Sequence, residues 1–201
     1  MSLNNFSELF YDLDSSNSTN NKIEVLKNYF LSNDPIDNSW AIYLLTGKSN
    51  RRFISGRYLK NLFSQIYEYP EWLIDTCYLK VGDSAEVITL LLKNKSTSMK
   101  KELSNISLNE LLSKTIPDLS KLNEEEKNFK IKNIWETLPE DNHLIFNKIL
   151  TGTFRVGVST GLITKSIAKL ANIDEEIISH RLMGNFKPSM DSYKFLINKK
   201  I

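Results

Sequence analysis

The chain of 201 residues is poor in several residue types, and each shortage excludes a class of protein. A single cysteine, Cys77, excludes an internal disulfide and argues against an oxidising compartment. Seven glycines and five prolines are too few for a turn-rich β-architecture. No apolar run approaches the ~18 residues of a membrane span, and no charged start leads into an apolar signal region. We therefore expect a cytoplasmic, helical protein that contacts no membrane.

Apolar residues instead recur at helical spacing through most of the chain, and a hydrophobic content of 41% suffices for a core. The tryptophans Trp40, Trp72 and Trp135 lie on these apolar stripes and are expected in the core. No segment predicts a strand. The sequence predicts one compact all-α domain of about ten helices, over residues 20–30, 35–45, 56–67, 70–79, 85–92, a short stretch after 107, 124–138, 140–150, 160–171, 175–183 and 189–198.

One helix–turn–helix element occurs twice, 105 residues apart. Leu45-Thr46-Gly47 leads through a basic loop to Ser55, Gly56 and a helix, and Leu150-Thr151-Gly152 leads to Ser159, Gly161 and another helix. The simplest organisation that explains two such elements is an internal duplication with pseudo-two-fold symmetry.

The formal net charge of +2 hides a concentration of basic residues on these two elements. Residues 46–60 contain five basic residues and no acid, and residues 147–170 contain four and no acid. Charge sorted in this way is typical of a phosphate-binding surface. The alternative is that basic side chains near helix ends only solvate the surface.

The residue types in both loops suit a phosphate. The first turn of a helix carries unpaired N–H groups and partial positive charge, and a hydroxyl at the N-cap adds a donor. Arginine supplies forked donors, and glycine permits positive φ or close approach of a sugar–phosphate chain. Nothing in the pattern is built to read base edges, so the sequence predicts backbone contact without sequence preference.

Other chemistry has weaker support. Residues Gly152 to Gly157 have the glycine spacing of a P-loop, but Val158 stands where its lysine is required. His143 and His180 lie on separate helices, and neither is spaced to share a metal with Cys77. Gly82 and Asp83 are interpreted as a turn and a helix cap without chemistry. We predict no catalytic residue, no metal site and no cofactor bound by this chain.

Several blocks together resemble a known family. These blocks are Thr19-Asn20-Asn21-Lys22, Trp40 to Gly47, Val81-Gly82-Asp83, the segment Asn147 to Ser159, and His180 to Gly184. Across about residues 6–195 the chain resembles the N-terminal DNA-binding domain of bacterial ATP-dependent DNA ligases, most specifically in the block from Asn147 to Ser159.

The resemblance implies a helical domain, residues 1–188, that binds the minor-groove side of nicked duplex DNA near the nucleoid during repair and replication. Nothing in the sequence signals more than a monomer. Residues 189–201 would then lead towards adenylation and OB-fold domains of the same protein, which bind ATP and Mg²⁺. The adenylation motif K-x-D-G has no match in these 201 residues, so we expect the chain to be inactive alone.

From the resemblance to this family, we infer DNA contact only for the two repeated loops and for the helix starts that follow them. The predicted DNA-binding residues are Thr46, Gly47, Lys48, Arg51, Arg52, Ser55, Gly56, Arg57, Thr151, Gly152, Thr153, Arg155, Gly157, Val158, Ser159, Thr160 and Gly161. The alternative function is a helical scaffold whose basic loops meet an acidic protein partner.

Overall fold

The computed structural model describes residues 2–48, 52–94, 106–154, 156–184 and 186–199. These residues form thirteen α-helices and one π-helical turn, Leu111–Thr115, and none of them lies in a β-strand. The predicted all-α class is confirmed. Among the described residues no helix is long and apolar enough to cross a membrane. In chain order the helices are α1 (Ser2–Ser15), α2 (Thr19–Ser32), α3 (Pro35–Leu45), α4 (Gly56–Tyr67), α5 (Glu71–Val81), α6 (Ser84–Lys93), α7 (Leu108–Glu110), α8 (Ile116–Leu119), α9 (Glu124–Thr137), α10 (Glu140–Thr151), α11 (Thr160–Ala171), α12 (Glu175–Met183) and α13 (Met190–Leu196).

Local signals at the helix ends explain most of these boundaries. The side chains of Ser55 and Ser159 accept hydrogen bonds from backbone N–H groups three residues later, at the starts of α4 and α11. Asn123 and Glu126 form a complete capping box at the start of α9. Gly152 ends α10 with φ of 68°, a left-handed conformation that favours glycine.

Contacts between Cα atoms divide the chain into two compact units. Unit 1 comprises Met1–Ser49, Ser107–Leu112 and Phe154–Ile201, and unit 2 comprises Asn50–Ile106 and Ser113–Thr153. The chain therefore changes unit within each repeated loop, and it also enters unit 1 briefly at Ser107–Leu112.

In unit 1, α2 packs against α1 and α11, and α13 packs against α3. An aromatic cluster lies at the base of the second repeated loop, where the ring of Phe154 contacts those of Phe6 and Phe10 at centroid distances of 6.2 and 6.0 Å. Tyr193 of α13 is buried and its hydroxyl donates to the Phe30 carbonyl. The second loop is therefore anchored to the core of this unit at its start.

In unit 2, α10 packs against α6, and α6 also contacts α4 and α5. A buried hydrogen-bond chain joins three helices here. The indole N–H of Trp135 donates to Asn147 Oδ1 at 2.9 Å, and Asn147 Nδ2 donates to Thr89 Oγ1 at 3.1 Å. Since each of these polar groups has a hydrogen-bond partner inside the core, this series of hydrogen bonds fixes the register of α9, α10 and α6.

The expectation that all three tryptophans are buried is met in full only by Trp135. Trp135 is fully buried, and Trp40 is half-buried with its N–H donating to Asn109 Oδ1. The prediction is wrong for Trp72, which is 69% exposed on α5. The buried side chain of α5 is Ile74, and α5 packs only on α4 and α6 among its larger contacts, so its opposite face stays in solvent.

Candidate nucleic-acid interface

Two helices of unit 2 begin at one place. Ser55 caps α4, its Oγ accepting from the Tyr58 N–H at 3.0 Å. Asp83 caps α6, its Oδ1 accepting from the N–H groups of Ala85 at 2.8 Å and Glu86 at 3.2 Å. Each helix start directs partial positive charge outward, so two such starts side by side favour an anion more than one does.

Gly56 permits the close approach of these two helix starts. A Cβ built on Gly56 would lie 2.6 Å from Ser84 Oγ and 3.0 Å from Ser84 Cβ. The sequence predicts that the missing side chain leaves space for a sugar–phosphate chain. The structure gives Gly56 a further role, because α4 and α6 meet at this point and leave no room for a methyl group.

A cavity of about 360 Å³ opens in front of the two helix starts. We call it the α4–α6 pocket. It contains three basic side chains and five hydroxyls, and its lining residues are Arg52, Ser55, Gly56, Arg57, Lys60, Tyr78, Gly82, Asp83, Ser84, Thr151 and Thr153.

Both repeated loops contribute to the α4–α6 pocket because they are joined by backbone hydrogen bonds. The N–H groups of Phe53 and Ile54 donate to the carbonyl of Leu150, at 3.0 and 3.1 Å. This contact places Arg52 and Ser55 of the first loop near Thr151, the last residue of α10, and near Thr153. The structure thus brings together six of the predicted site residues: Arg52, Ser55, Gly56, Arg57, Thr151 and Thr153.

The remaining lining residues were not among the predicted site residues. Lys60 lies one turn into α4 and pairs with Asp75, so part of its charge is already balanced. The sequence indicates only a turn and a helix cap at Gly82 and Asp83, and Ser84 is the first residue of α6. Their glycine turn and cap mark a third helix start of the same kind, and that pattern is the sequence signal that could have found them.

A buried lysine stands behind the pocket. Lys148 of α10 is 2% exposed, and its Nζ lies 3.1 Å from Asp83 Oδ2 and 2.9 Å from Glu86 Oε1. Asp83 therefore uses one oxygen to cap α6 and the other to bind Lys148. The sequence counts Lys148 among the basic residues of the second element, whereas in the structure its charge is neutralised internally.

The threonines of the two Leu-Thr-Gly turns satisfy backbone carbonyls of their own helices. Thr46 Oγ1 donates to the Ile42 carbonyl at 2.7 Å, and Thr151 Oγ1 donates to that of Asn147 at 2.9 Å. Thr151 also bonds Thr153 through their hydroxyls at 2.9 Å. Each hydroxyl has one proton, so Thr153 is the donor in its bond to Thr151, and all three threonines can offer a ligand only their lone pairs while these hydrogen bonds are kept.

Lys48 is committed to a contact within unit 1. Its Nζ donates to the carbonyls of Leu182 at 2.6 Å and Gly184 at 3.0 Å, at the end of α12. A cation at this position satisfies the terminal carbonyls and the helix dipole. Lys48 is therefore a helix cap in this structure. Gly47 ends α3 with φ of 70°, as expected for a left-handed turn.

The start of α11 in unit 1 forms a second, separate feature. Ser159 caps it, its Oγ accepting from the Leu162 N–H at 3.3 Å. A Cβ on Gly161 would meet nothing nearer than Ser159 Oγ at 3.6 Å, so the surface there is open. Lys22 holds the preceding loop by donating to the Gly157 carbonyl at 3.0 Å. Of the remaining predicted residues here, Gly157 has φ of 62°, Val158 is half-buried and Thr160 is exposed.

Two predicted arginines, Arg51 and Arg155, lie outside the described residues. Within the described part of the chain, no group of three or more His, Cys, Asp or Glu side chains could hold a metal ion. His143 is buried with Nε2 3.1 Å from the Leu138 carbonyl, and burial lowers its pKa. His180 is exposed on α12.

Comparison with known protein families identifies the family of this chain. A search of curated proteins finds no match for this chain. The family described as "DNA ligase N terminus" matches residues 2–168, a span that includes both repeated loops, the α4–α6 pocket and the start of α11. Since the match covers most of the chain, the protein belongs to the DNA ligase N-terminal family.

Proposed function

We propose that this chain binds the backbone phosphates of duplex DNA, nicked duplex in particular, without sequence preference, as the non-catalytic part of an ATP-dependent DNA ligase. The observation that carries the proposal is the α4–α6 pocket, where two helix starts and the side chains of Arg52 and Arg57 face one cavity. Family membership supports DNA as the substrate of the parent enzyme.

The chemistry of the pocket favours phosphate over other anions. The N–H groups of Gly56 and Arg57 have no acceptor among the described residues, and the Ser55 hydroxyl uses only its lone pair in capping. Arg52 and Arg57 are exposed and take part in no ion pair within the described part of the chain. A tetrahedral anion with several acceptor oxygens satisfies helix N–H groups and forked arginine donors together.

The start of α11 supplies a second phosphate contact in this proposal. Its cap at Ser159 and the open surface at Gly161 leave the first turn accessible. Two backbone contacts on one polyanion hold a duplex more firmly than one, and firm positioning of the nick assists the joining reaction. In this proposal the adenylation step, which uses ATP and Mg²⁺, takes place on other domains of the same ligase. The ligase acts in the cytoplasm, near the nucleoid.

Fluorescence anisotropy of a labelled nicked duplex, titrated at several salt concentrations, tests the proposal. With four to six phosphate contacts, log K should fall against log[salt] with a slope of roughly −4 to −5, whatever the sequence. An Arg52→Gln/Arg57→Gln variant should bind more weakly and have a slope shallower by about 2. A Lys130→Gln/Lys194→Gln variant removes two exposed cations outside the pocket and should bind nearly as the wild type does.

The second candidate, a helical scaffold with an acidic protein partner, makes the opposite prediction. It requires no general affinity for duplex DNA. Absence of binding at low salt, or equal losses in the two double variants, would contradict the DNA-binding proposal and favour the scaffold.

A further inference from the structure

Lys60 differs from the other two cations that line the α4–α6 pocket. Arg52 and Arg57 form no ion pair within the described part of the chain, whereas the ammonium group of Lys60 binds the carboxylate of Asp75. Asp75 lies one turn into α5 and is not a lining residue of the pocket. The ion pair therefore joins a cation of the pocket to an acid outside it.

The two members of this ion pair differ in how firmly they are held. The side chain of Lys60 is 16% exposed, and its Nζ lies 4.5 Å from the centroid of the Tyr78 ring, which also lines the pocket. This cation–π contact and the burial of the aliphatic stem hold the ammonium group beside a wall of the pocket. The side chain of Asp75 is 62% exposed, so its carboxylate can turn into water at little cost.

A phosphate in the pocket competes with Asp75 for the ammonium group of Lys60. Lys60 follows Gly56 by four residues, so both lie on one face of α4, at the helix start that the pocket exposes. A phosphate there also meets the first-turn N–H groups of α4, which the carboxylate of Asp75 does not cap. An ammonium group has three rotatable donors, so Lys60 can pass from a carboxylate to a phosphate without leaving the Tyr78 ring.

We propose that Lys60 is a further phosphate-binding residue of the α4–α6 pocket and that it exchanges Asp75 for a phosphate of the duplex on binding. This inference rests on the proposed function, because the phosphate is that of DNA. Asp75 is the counter-ion of Lys60 in the free protein, and it lowers the affinity for DNA because the ion pair has to be broken. The exchange involves no base edge, so it limits the affinity for every duplex alike.

Fluorescence anisotropy of a labelled nicked duplex at several salt concentrations tests the exchange. Lys60→Gln should raise the Kd about tenfold and make the slope of log K against log[salt] shallower by about 1. Asp75→Asn should lower the Kd about two- to fivefold, the equivalent of one exposed ion pair that no longer has to be broken. A gain in affinity cannot come from a variant that fails to fold.

Glu71→Gln is the matched control for Asp75→Asn. Both acids are exposed on α5, four residues apart, but Glu71 forms no ion pair within the described residues. Glu71→Gln removes the same charge and breaks no ion pair, so its gain in affinity should be clearly smaller. In a Lys60→Gln background, Asp75→Asn should gain no more than Glu71→Gln does.

Three results would overturn the exchange. Equal gains from Asp75→Asn and Glu71→Gln would show only a long-range effect of charge. A loss of affinity in Asp75→Asn would mean that the carboxylate positions Lys60 for binding, and an unchanged salt slope in Lys60→Gln would mean that Lys60 contacts no phosphate. Failure of the proposed function looks different, because the wild type itself would then not bind the duplex at low salt.

Discussion

Removal of the buried cation Lys148 probes the support of the α4–α6 pocket. The side chain of Lys148 is 3% exposed, and its partners Asp83 and Glu86 are 24% and 43% exposed. Lys148→Met preserves most of the aliphatic stem but leaves two carboxylates without their cation. The carboxylate of Asp83 also caps α6 and lines the pocket, so its environment affects both stability and anion binding.

The expected cost follows from this burial. Loss of one partner of a fully buried ion pair costs about 3–5 kcal/mol, because the remaining charge is stranded. Here water still reaches both carboxylates, so we expect Lys148→Met to lower the free energy of unfolding by about 2–3 kcal/mol. The two uncompensated charges should also weaken binding of duplex DNA at temperatures where the variant is folded.

Urea denaturation at pH 7, followed by tryptophan fluorescence, measures the change in stability. Lys169→Met is the control, since Lys169 pairs with Glu24 at side-chain exposures of 54% and 49% and should cost no more than about 1 kcal/mol. In an Asp83→Asn/Glu86→Gln background, Lys148→Met should cost much less. An equal cost in that background, or a loss as small as that of Lys169→Met, would refute the electrostatic reasoning.

Two further predictions concern His143 and the glycines of the helix starts. Burial lowers the pKa of His143, so the neutral form is favoured in the folded protein and stability is lost as pH falls below about 6.5, by up to about 1.4 kcal/mol per pH unit. Urea denaturation at pH 7.5 and 5.5 should show less loss in His143→Gln than in wild type or in His180→Gln, and identical losses would contradict the assignment. Gly56→Ala should destabilise the protein by about 1–3 kcal/mol, whereas Gly161→Ala should stabilise it by about 0.4–1 kcal/mol, measured in the same way.

Helix boundaries were predictable where a local signal marks them. The predicted bounds of α3, α4, α11 and α12 agree with the structure, because Pro35, Ser55, Ser159 and Gly184 act at their ends. Asp174 directly precedes α12 but makes no capping hydrogen bond. The first helix was not predicted, although Leu3, Phe6, Phe10 and Leu13 are buried at helical spacing.

The repeated element was predictable in its local geometry. Thr46 and Thr151 bond the carbonyl four residues earlier, Gly47 and Gly152 adopt positive φ, and both following helices begin with a serine cap. The pseudo-two-fold relation between the halves and the division into residues 1–188 and 189–201 stay predictions. Within unit 1, α13 packs against α3.

The partners of the site residues were not predictable, since they come from distant parts of the chain. Lys48 and Lys148 lie in basic stretches, and their sequence neighbours alone indicate that they bind phosphate. Only the fold places the end of α12 against Lys48, and Asp83 and Glu86 against Lys148. The number of basic residues in a stretch therefore overstates the number of cations that are free to bind a ligand. The two acids that neutralise Lys148 lie 62 and 65 residues away from it in the sequence.

The comparison of Gly56→Ala with Gly161→Ala separates two reasons for a glycine at a helix start. At Gly56 a methyl group meets Ser84, so the loss of stability should be relieved in part by Ser84→Gly, which removes both contacting atoms. At Gly161 the added Cβ meets only Ser159 Oγ, at an ordinary contact distance of 3.6 Å, so a loss of DNA affinity would arise from a clash between the methyl group and the DNA. A Gly161→Ala variant that is more stable yet binds nicked duplex more weakly would place a phosphate at the start of α11. Unchanged affinity would mean that this helix start does not contact the backbone, and the second phosphate contact would have to be withdrawn.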